Sequence, residues 1–375
     1  MKKGTVITSV VSLILIVVLF LIPTGFEGAL QFKDAVKCKV EVISCDNSRL
    51  IDTGLIRTGQ QVCTVRFLSG KFKGQEAQGW NLLTGSLSQD KLFYEGDKAQ
   101  AVVHWTDIGE SGGVEILSVN LIDYYRLNGE LILALAFAAF LIIFARGTGL
   151  RSVLSFIVTI LVIWKIIIPL YLKGFNPIIT GLIAVALLTF VILALVYGFD
   201  KRLISSFCGA MLGISFAAVL SLICTKAFHI HGAVMSYSES LLYSGYEYLN
   251  LTKIFMASVF IGASGSVMDL SVDITSAVSE VVANCPDISK KNAIKSGINV
   301  ARAAMGTMTT TLLLAYSGTC VALLMVFMAQ GTPLYNIFNN NVVSSEIINT
   351  VAGSFGLAST APFTALISGL ILTKS

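Results

Sequence analysis

The chain has 375 residues, of which 55% are hydrophobic and only 13% charged, with a formal net charge of +4 and a mean hydropathy of +0.79. Soluble domains carry roughly twice that share of charge, so a soluble globular protein is excluded and a multi-span membrane protein remains. The small positive balance points to no nucleic acid, and the lipid bilayer is the one partner that composition requires.

Met1-Lys-Lys precedes an apolar run from Thr5 to Ile22 that ends at Pro23. It reads as an uncleaved first span, since no small-x-small cleavage site precedes the proline; a cleaved signal peptide is the alternative. Either way the next segment is expected outside.

Residues 31–126 hold many of the charges and no membrane-length apolar run. Val36, Cys38, Val40 and Val42 alternate with polar residues, as do Cys63, Val65 and Phe67, and later Val103 and Trp105. This is the two-residue period of half-buried strands. Turn signals lie at Cys45-Asp-Asn-Ser, Ser69-Gly70, Gly85, Glu95-Gly-Asp97 and Ser111-Gly-Gly113. About five short strands predict a small β-barrel of OB-like type. Its basic residues are scattered and no aromatic series follows the strand spacing, so a structural or docking role is favoured over ligand binding.

Seven cysteines form no metal spacing. Cys38, Cys45 and Cys63 lie in the polar segment and read as small buried residues. A Cys38–Cys63 or Cys45–Cys63 bridge is the alternative.

Further spans are predicted near 129–145, 150–172, 178–197, 203–223, 252–274, 302–328 and 345–372. The fold class is therefore an all-α polytopic membrane domain of about eight transmembrane helices carrying an inserted extracytoplasmic β domain. The division is an anchor at 1–30, the β domain at 31–126, and a seven-helix membrane domain at 127–375. With the N-terminus inside, cytoplasmic segments hold Lys2, Lys3, Arg146, Arg151, Lys201, Arg202, Lys290, Lys291, Lys295, Arg302 and Lys374. Outer segments between spans hold only Lys165, Lys173, Lys226 and Lys253. That bias matches the positive-inside rule and places both termini in the cytoplasm of a cell-membrane protein. Lys165, beside Trp164, reads as a snorkelling cation. His229-Ile-His231 lacks a nearby acid or cysteine and is a weak metal signal. Tyr237 to Tyr248 reads as an interfacial helix.

The chemistry concentrates in 261–316. At about 100° per residue, Gly262, Ser266, Asp269, Asp273, Ser276 and Glu280 fall within roughly 80° of one helix face. Acids in so apolar a context need partners, water or a function. Arg302, Gly306, Thr309 and Tyr316 share a face of the next helix, beside Thr307, Thr310 and Thr311. Gly262 and Gly265 are read as either a helix break or close packing, and Gly306 similarly. Glu280 and Arg302 are read as an exposed ion pair at the cytoplasmic end.

Gly262-Ala-Ser-Gly-Ser-Val-Met-Asp269, Ser276-Ala-Val-Ser-Glu280, Met305-Gly-Thr-Met-Thr309, Leu312-Leu-Leu-Ala-Tyr316, and Ala352-Gly-Ser-Phe-Gly-Leu357 followed by Ala361-Pro362 resemble the YibE/F-like family of bacterial polytopic membrane proteins. The resemblance runs from about residue 128 to the C-terminus, and more loosely over the polar segment. It implies topology and site candidates rather than a reaction. The family's Gly-Arg-Asp is Ala301-Arg302-Ala303 here, so a family acid is missing, and its usual Asn is Thr310.

No GxSxG, HExxH, Walker A or GxGxxG occurs, so no enzyme and no cofactor are expected. A secondary transporter or permease is the leading reading, with a small molecule or ion held by Ser266, Asp269, Asp273, Thr309 and Thr310 between the two helices. Coupling to a proton or Na⁺ needs an ionisable group, and Asp269 is the best placed. The alternative is a non-transporting sensor or assembly component whose outer β domain binds a partner. Association with itself or a related membrane protein fits either.

Overall fold

A computed structural model describes residues 3–26, 35–108 and 113–373. The first two residues of the turn expected at Ser111-Gly-Gly113, together with Lys2 and Lys374, fall outside these. The chain forms two compact units, one of Met1–Gly25 with Leu141–Ser375 and one of Phe26–Phe140. The anchor is thus part of the helical unit, and the other unit runs beyond residue 126.

In the second unit the expected alternation becomes strands β1 (Val36–Asp46), β2 (Leu50–Asp52), β3 (Arg57–Phe67), β4 (Glu76–Thr84), β5 (Lys98–Ile108) and β6 (Gly113–Tyr124). The sheet order is β1-β5-β6-β4-β3-β2, and an added β1–β3 pairing closes five strands into a barrel, with the three-residue β2 hooked onto β3. Among the described residues the one parallel contact joins β4 to β6, as the Greek-key path of an OB-type barrel demands. Cys38, Val40, Val42, Cys63, Val65, Phe67, Val103 and Val119 fill the interior. Most strands are longer than the short ones expected.

One buried polar network ties the β4–β5 connection to this barrel. Gln61 is fully buried. Its Nε2 donates to Asn47 Oδ1 and to the Phe93 carbonyl, both at 2.8 Å. Its Oε1 accepts from the Phe93 N–H and from Asn81 Nδ2. Every polar atom of that amide is therefore satisfied, as burial requires.

Among the described residues, six helices are long and apolar enough to cross a membrane, Leu127–Leu172, Pro177–Tyr197, Lys201–Ala227, Leu251–Asn284, Lys290–Ala329 and Asn341–Leu372, and a shorter apolar helix joins them in the helical unit. We call the shorter one α1 (Lys3–Leu21) and the six α2 to α7 in chain order; α2 enters this unit at Leu141. Helix α2 kinks sharply at Arg146, whose φ of 49° and ψ of −121° are non-helical. Leu19 of α1 packs with Val158, Val162 and Ile167 of α2 and with Ala184 and Leu188 of α3. Lys165, expected to reach for an interface, donates to the Ile22 carbonyl at 2.9 Å, just past the end of α1. It thereby serves a carbonyl left open at the C-terminal end of α1. The Tyr237–Tyr248 segment folds as a short helix at Ser238–Leu241 and a wider turn at Leu242–Tyr246, with Tyr237, Tyr243 and Tyr248 exposed.

Small residues set the core. A Cβ at Gly213 of α4 would strike Thr360 Oγ1 and the Gly356 carbonyl of α7, and one at Gly356 would strike Ala217. At Gly209 it would meet Thr364. Between apolar helices in lipid, packing and hydrogen bonds replace the hydrophobic drive, and small residues permit the close approach. The hydroxyls of Ser205 on α4 and Thr275 on α5 both reach Ser368 on α7, at 2.7 and 3.1 Å, and Ser206 meets Ser271 at 2.8 Å. Three helices are thus joined by buried polar side chains as well as by glycine.

Gly213→Ala should lower the midpoint of thermal unfolding in detergent by several degrees, overpacking costing roughly 1–3 kcal/mol. Gly265→Ala should leave it unchanged or raise it, because an added Cβ there meets nothing within 4 Å. Equal effects would show that the α4–α7 approach is not close.

Candidate functional site on helices α5 and α6

Helix α5 starts behind Asn250, whose side chain accepts from the Lys253 N–H, and runs unbroken for 34 residues. Its length is about 51 Å at 1.5 Å per residue, so it exceeds the ~30 Å hydrocarbon core without the break considered at Gly262. Ser289 caps α6, accepting from the Asn292 N–H. The two helices form an antiparallel hairpin.

Two close approaches fix its register. A Cβ at Gly297 would meet Val278, and one at Gly262 would run into the Tyr316 hydroxyl. Gly262 is therefore a packing glycine, whereas Gly265 and Gly306 have open space around them. Interpolating between these contacts puts Asp269 level with Thr307 and Met308, and Arg302 level with Asp273 and Ile274. Arg302 then sits about 9 Å along the axis from Glu280. No ion pair joins Glu280 and Arg302 among the described residues, and both are exposed. The spacing along two separate helices did not carry that register.

Asp269 and Asp273 lie one turn apart on an exposed face of α5, with Ser266 half-buried between Asp269 and Gly262. The opposite face, with Val267, Leu270, Ser271, Ile274 and Val278, is buried. Among the described residues no hydrogen bond or ion pair reaches either carboxylate. The threonines of α6 turn back on their own helix: Thr309 Oγ1 donates to the Met305 carbonyl at 2.9 Å and Thr310 Oγ1 to the Gly306 carbonyl at 3.0 Å. The expected enclosure of one polar face by the other is thus not formed within a single chain. Helix α6 buries Ala293, Gly297 and Ala301, with Gly297 against α5 and α7, and Thr309 and Thr310, one to two residues further along α6 than the level of Asp269, are not hydrogen-bonded to it.

Two neighbours were not foreseen. Tyr197, near the end of α3, donates to the Val272 carbonyl and hydrogen-bonds Ser276, both at 2.8 Å. Arg202 lies over the Tyr197 ring at 5.1 Å and pairs with Asp200 at 3.0 Å. This chain of groups borders the acid face at the Asp273 end. At the other end Glu346 of α7 lines an open cavity of about 180 Å³ with Ser317, Cys320 and Thr350. Glu346 Oε2 accepts from Asn349 Nδ2 at 3.5 Å, while Asn349 Oδ1 and the Tyr316 hydroxyl are buried without a partner. Glu346 is thus a further acid among the apolar helices, in a cavity lined mostly by apolar side chains such as Leu313, Leu324 and Ile347. The sequence signal was a single acid in an apolar run with Asn three residues on. His231 Nδ1 accepts from the Ala233 N–H, and the described residues contain no cluster of metal-ligating side chains.

Gly353 and Gly356 sit in the Ala352–Leu357 motif, and a Cβ on them would meet Ala263 of α5 and Ala217 of α4. The glycine motifs therefore position α5 from behind its acid face. Residues 133–374 match the family described as YibE/F-like protein. No curated protein and no solved structure matches the chain.

Gly262→Ala should destabilise the protein through the Tyr316 hydroxyl, and Tyr316→Phe should be neutral or stabilising because that hydroxyl has no partner. The double variant should recover, with a coupling of about 0.5–3 kcal/mol in a thermal-unfolding cycle. Simple additivity would contradict the register.

Proposed function

The chain belongs to the YibE/F-like family and is a multi-pass membrane protein, and from that premise we propose that it is a secondary transporter or permease rather than an enzyme. The observation that carries this reading is the pair of carboxylates, Asp269 and Asp273, without hydrogen-bond or ion-pair partners among the described residues of an otherwise apolar, membrane-length helix. Ionisable groups at such depth face a bundle interior or a water-filled path and mark ion or substrate routes. The substrate, a small molecule or ion, is held by Ser266, Asp269 and Asp273, with the hydroxyl oxygens of Thr309 and Thr310 within one helical turn of that level on α6. Asp269 supplies the coupling charge. Because Ala303 stands where the family has an acid, coupling rests on Asp269 and Asp273.

The topology that goes with this reading has eight crossings, the kink at Arg146 dividing the longest helix and α1 adding one. Both termini then lie in the cytoplasm of a cell-membrane protein and the β-barrel lies outside, supported by the distribution of Lys and Arg. Lys290–Ala329 is the least buried of the six long helices. That favours association with a second copy or a related membrane protein along α6. The same observation supports a second reading, a sensor or assembly component whose barrel binds a partner and whose α5–α6 face is an interface.

Flux separates the two. Purified protein in liposomes containing a pH-reporting dye is offered a panel of inorganic ions and small metabolites. For any solute that moves with protons, Asp269→Asn should insert and fold normally yet lose pH-dependent flux by about tenfold or more, the equivalent of 1.4 kcal/mol or above. Wild-type flux in Asp269→Asn at every pH would remove the coupling role. A wild-type protein that moves nothing would favour the second reading.

A further inference from the structure

Cys45 and Cys63 are direct partners in the antiparallel register of β1 and β3. Their sulfurs are 2.9 Å apart with no bond between them. Facing residues of an antiparallel pair have Cα atoms about 4.5–5.5 Å apart, inside the range of about 4.4–6.8 Å that a disulfide spans. Closing to about 2.05 Å asks each sulfur to move by roughly half an ångström. Cys38, the other thiol in this unit, lies seven residues earlier on β1, roughly 23 Å along the strand from Cys45, so it is no rival. The pair sits on the β1–β3 seam that closes the barrel.

We propose that Cys45 and Cys63 form a disulfide in the mature protein, made by exchange with the disulfide of a thiol–disulfide oxidoreductase; this rests on the extracytoplasmic placement of the barrel. Cys45 is half-buried and Cys63 fully buried, which sets the order of events. The Cys45 thiolate attacks the donor disulfide, giving a mixed disulfide and one donor thiolate. Cys63 loses its proton and attacks the Cys45 sulfur, expelling the second donor thiolate. Two protons and two electrons leave the pair, one S–S bond forms, and the donor ends as a dithiol. Burial pushes both thiols up from their ordinary value, Cys63 further, and the Asp97 and Glu95 carboxylates push Cys45 the same way. Thiols so protonated react slowly unaided, which is why a catalysed donor is required. The bridge closes a loop from Cys45 to Cys63 that contains the whole of β2.

Trypsin provides a direct test, because Cys45 falls in the peptide Val40–Arg49 and Cys63 in Thr58–Arg66. Cells producing the full chain are quenched in acid, alkylated with iodoacetamide and digested without reductant. The expected product is one species with the summed mass of the two peptides less two hydrogens, which reduction splits into both. Two separate alkylated peptides would overturn the proposal for the mature protein. In a parallel arm, reduced, purified full-length protein is exposed to oxidised glutathione at alkaline pH. Bridging there but not in cells would mean that the pairing geometry holds and the outer placement fails. Separate peptides in both arms, or glutathione retained on Cys45, would overturn the pairing itself.

Discussion

A carboxylate cannot rest against hydrocarbon. Even the mildest measures put an aspartate at the centre of a membrane helix at a cost of about 2.5–3.5 kcal/mol, and two on one face compound it. Helix α5 carries Asp269 and Asp273 one turn apart, with their side of the helix open and the opposite side buried. That asymmetry constrains the rest of the helical unit, because whatever meets the acid face must be polar, water or protein.

The unit is arranged to hold α5 firmly from behind. Glycines on α4 and α7 bring those helices into contact distance, and the hydroxyls of Ser205, Thr275 and Ser368 join α4, α5 and α7. Such packing fixes the azimuth of α5 and therefore the direction of its acids. Helix α6 leans on the same core through Gly297 and touches α5 again where Tyr316 meets Gly262. A helix held at both ends of the acid face, yet not covering it, leaves a polar strip that a moving or associating element can meet. Tyr316 and Asn349 also carry buried oxygens without partners, and Asn349 donates to Glu346 on α7.

Much of this was legible in the sequence wherever a periodic pattern had one buried face. The alternation of Val36, Cys38, Val40 and Val42 gave a strand whose inward positions are now the barrel interior. The helical spacing of Gly262, Ser266, Asp269 and Asp273 gave the polar face of α5. What was missed depends on register between distant segments. Lys165 and Ile22 are 143 positions apart, and no local pattern links a mid-helix lysine to a carbonyl at the end of α1. The Glu280–Arg302 pairing failed for a related reason, since each residue was placed by its own helix and not by the Gly297–Val278 contact that sets their relative height. Gly262 could be read from sequence as break or contact, and only the Tyr316 hydroxyl beside it decides for contact. The three cysteines of the barrel could likewise be named, but which two face each other required the β1–β3 ladder.

For Asp269 and Asp273 to work as proposed, the acid face of α5 must be shielded from hydrocarbon in the bilayer. The most direct measurement places a nitroxide at Ser266 through Ser266→Cys in a background lacking the other reactive thiols. Its collisions with oxygen, which concentrates in hydrocarbon, are then compared with those of a water-soluble nickel complex. Phe216 of α4, exposed and apolar, supplies the lipid-facing comparison. At Ser266 nickel collisions should exceed oxygen collisions, while at Phe216 the order reverses. Oxygen-dominated relaxation at both positions would place Asp269 and Asp273 against lipid and contradict that shielding.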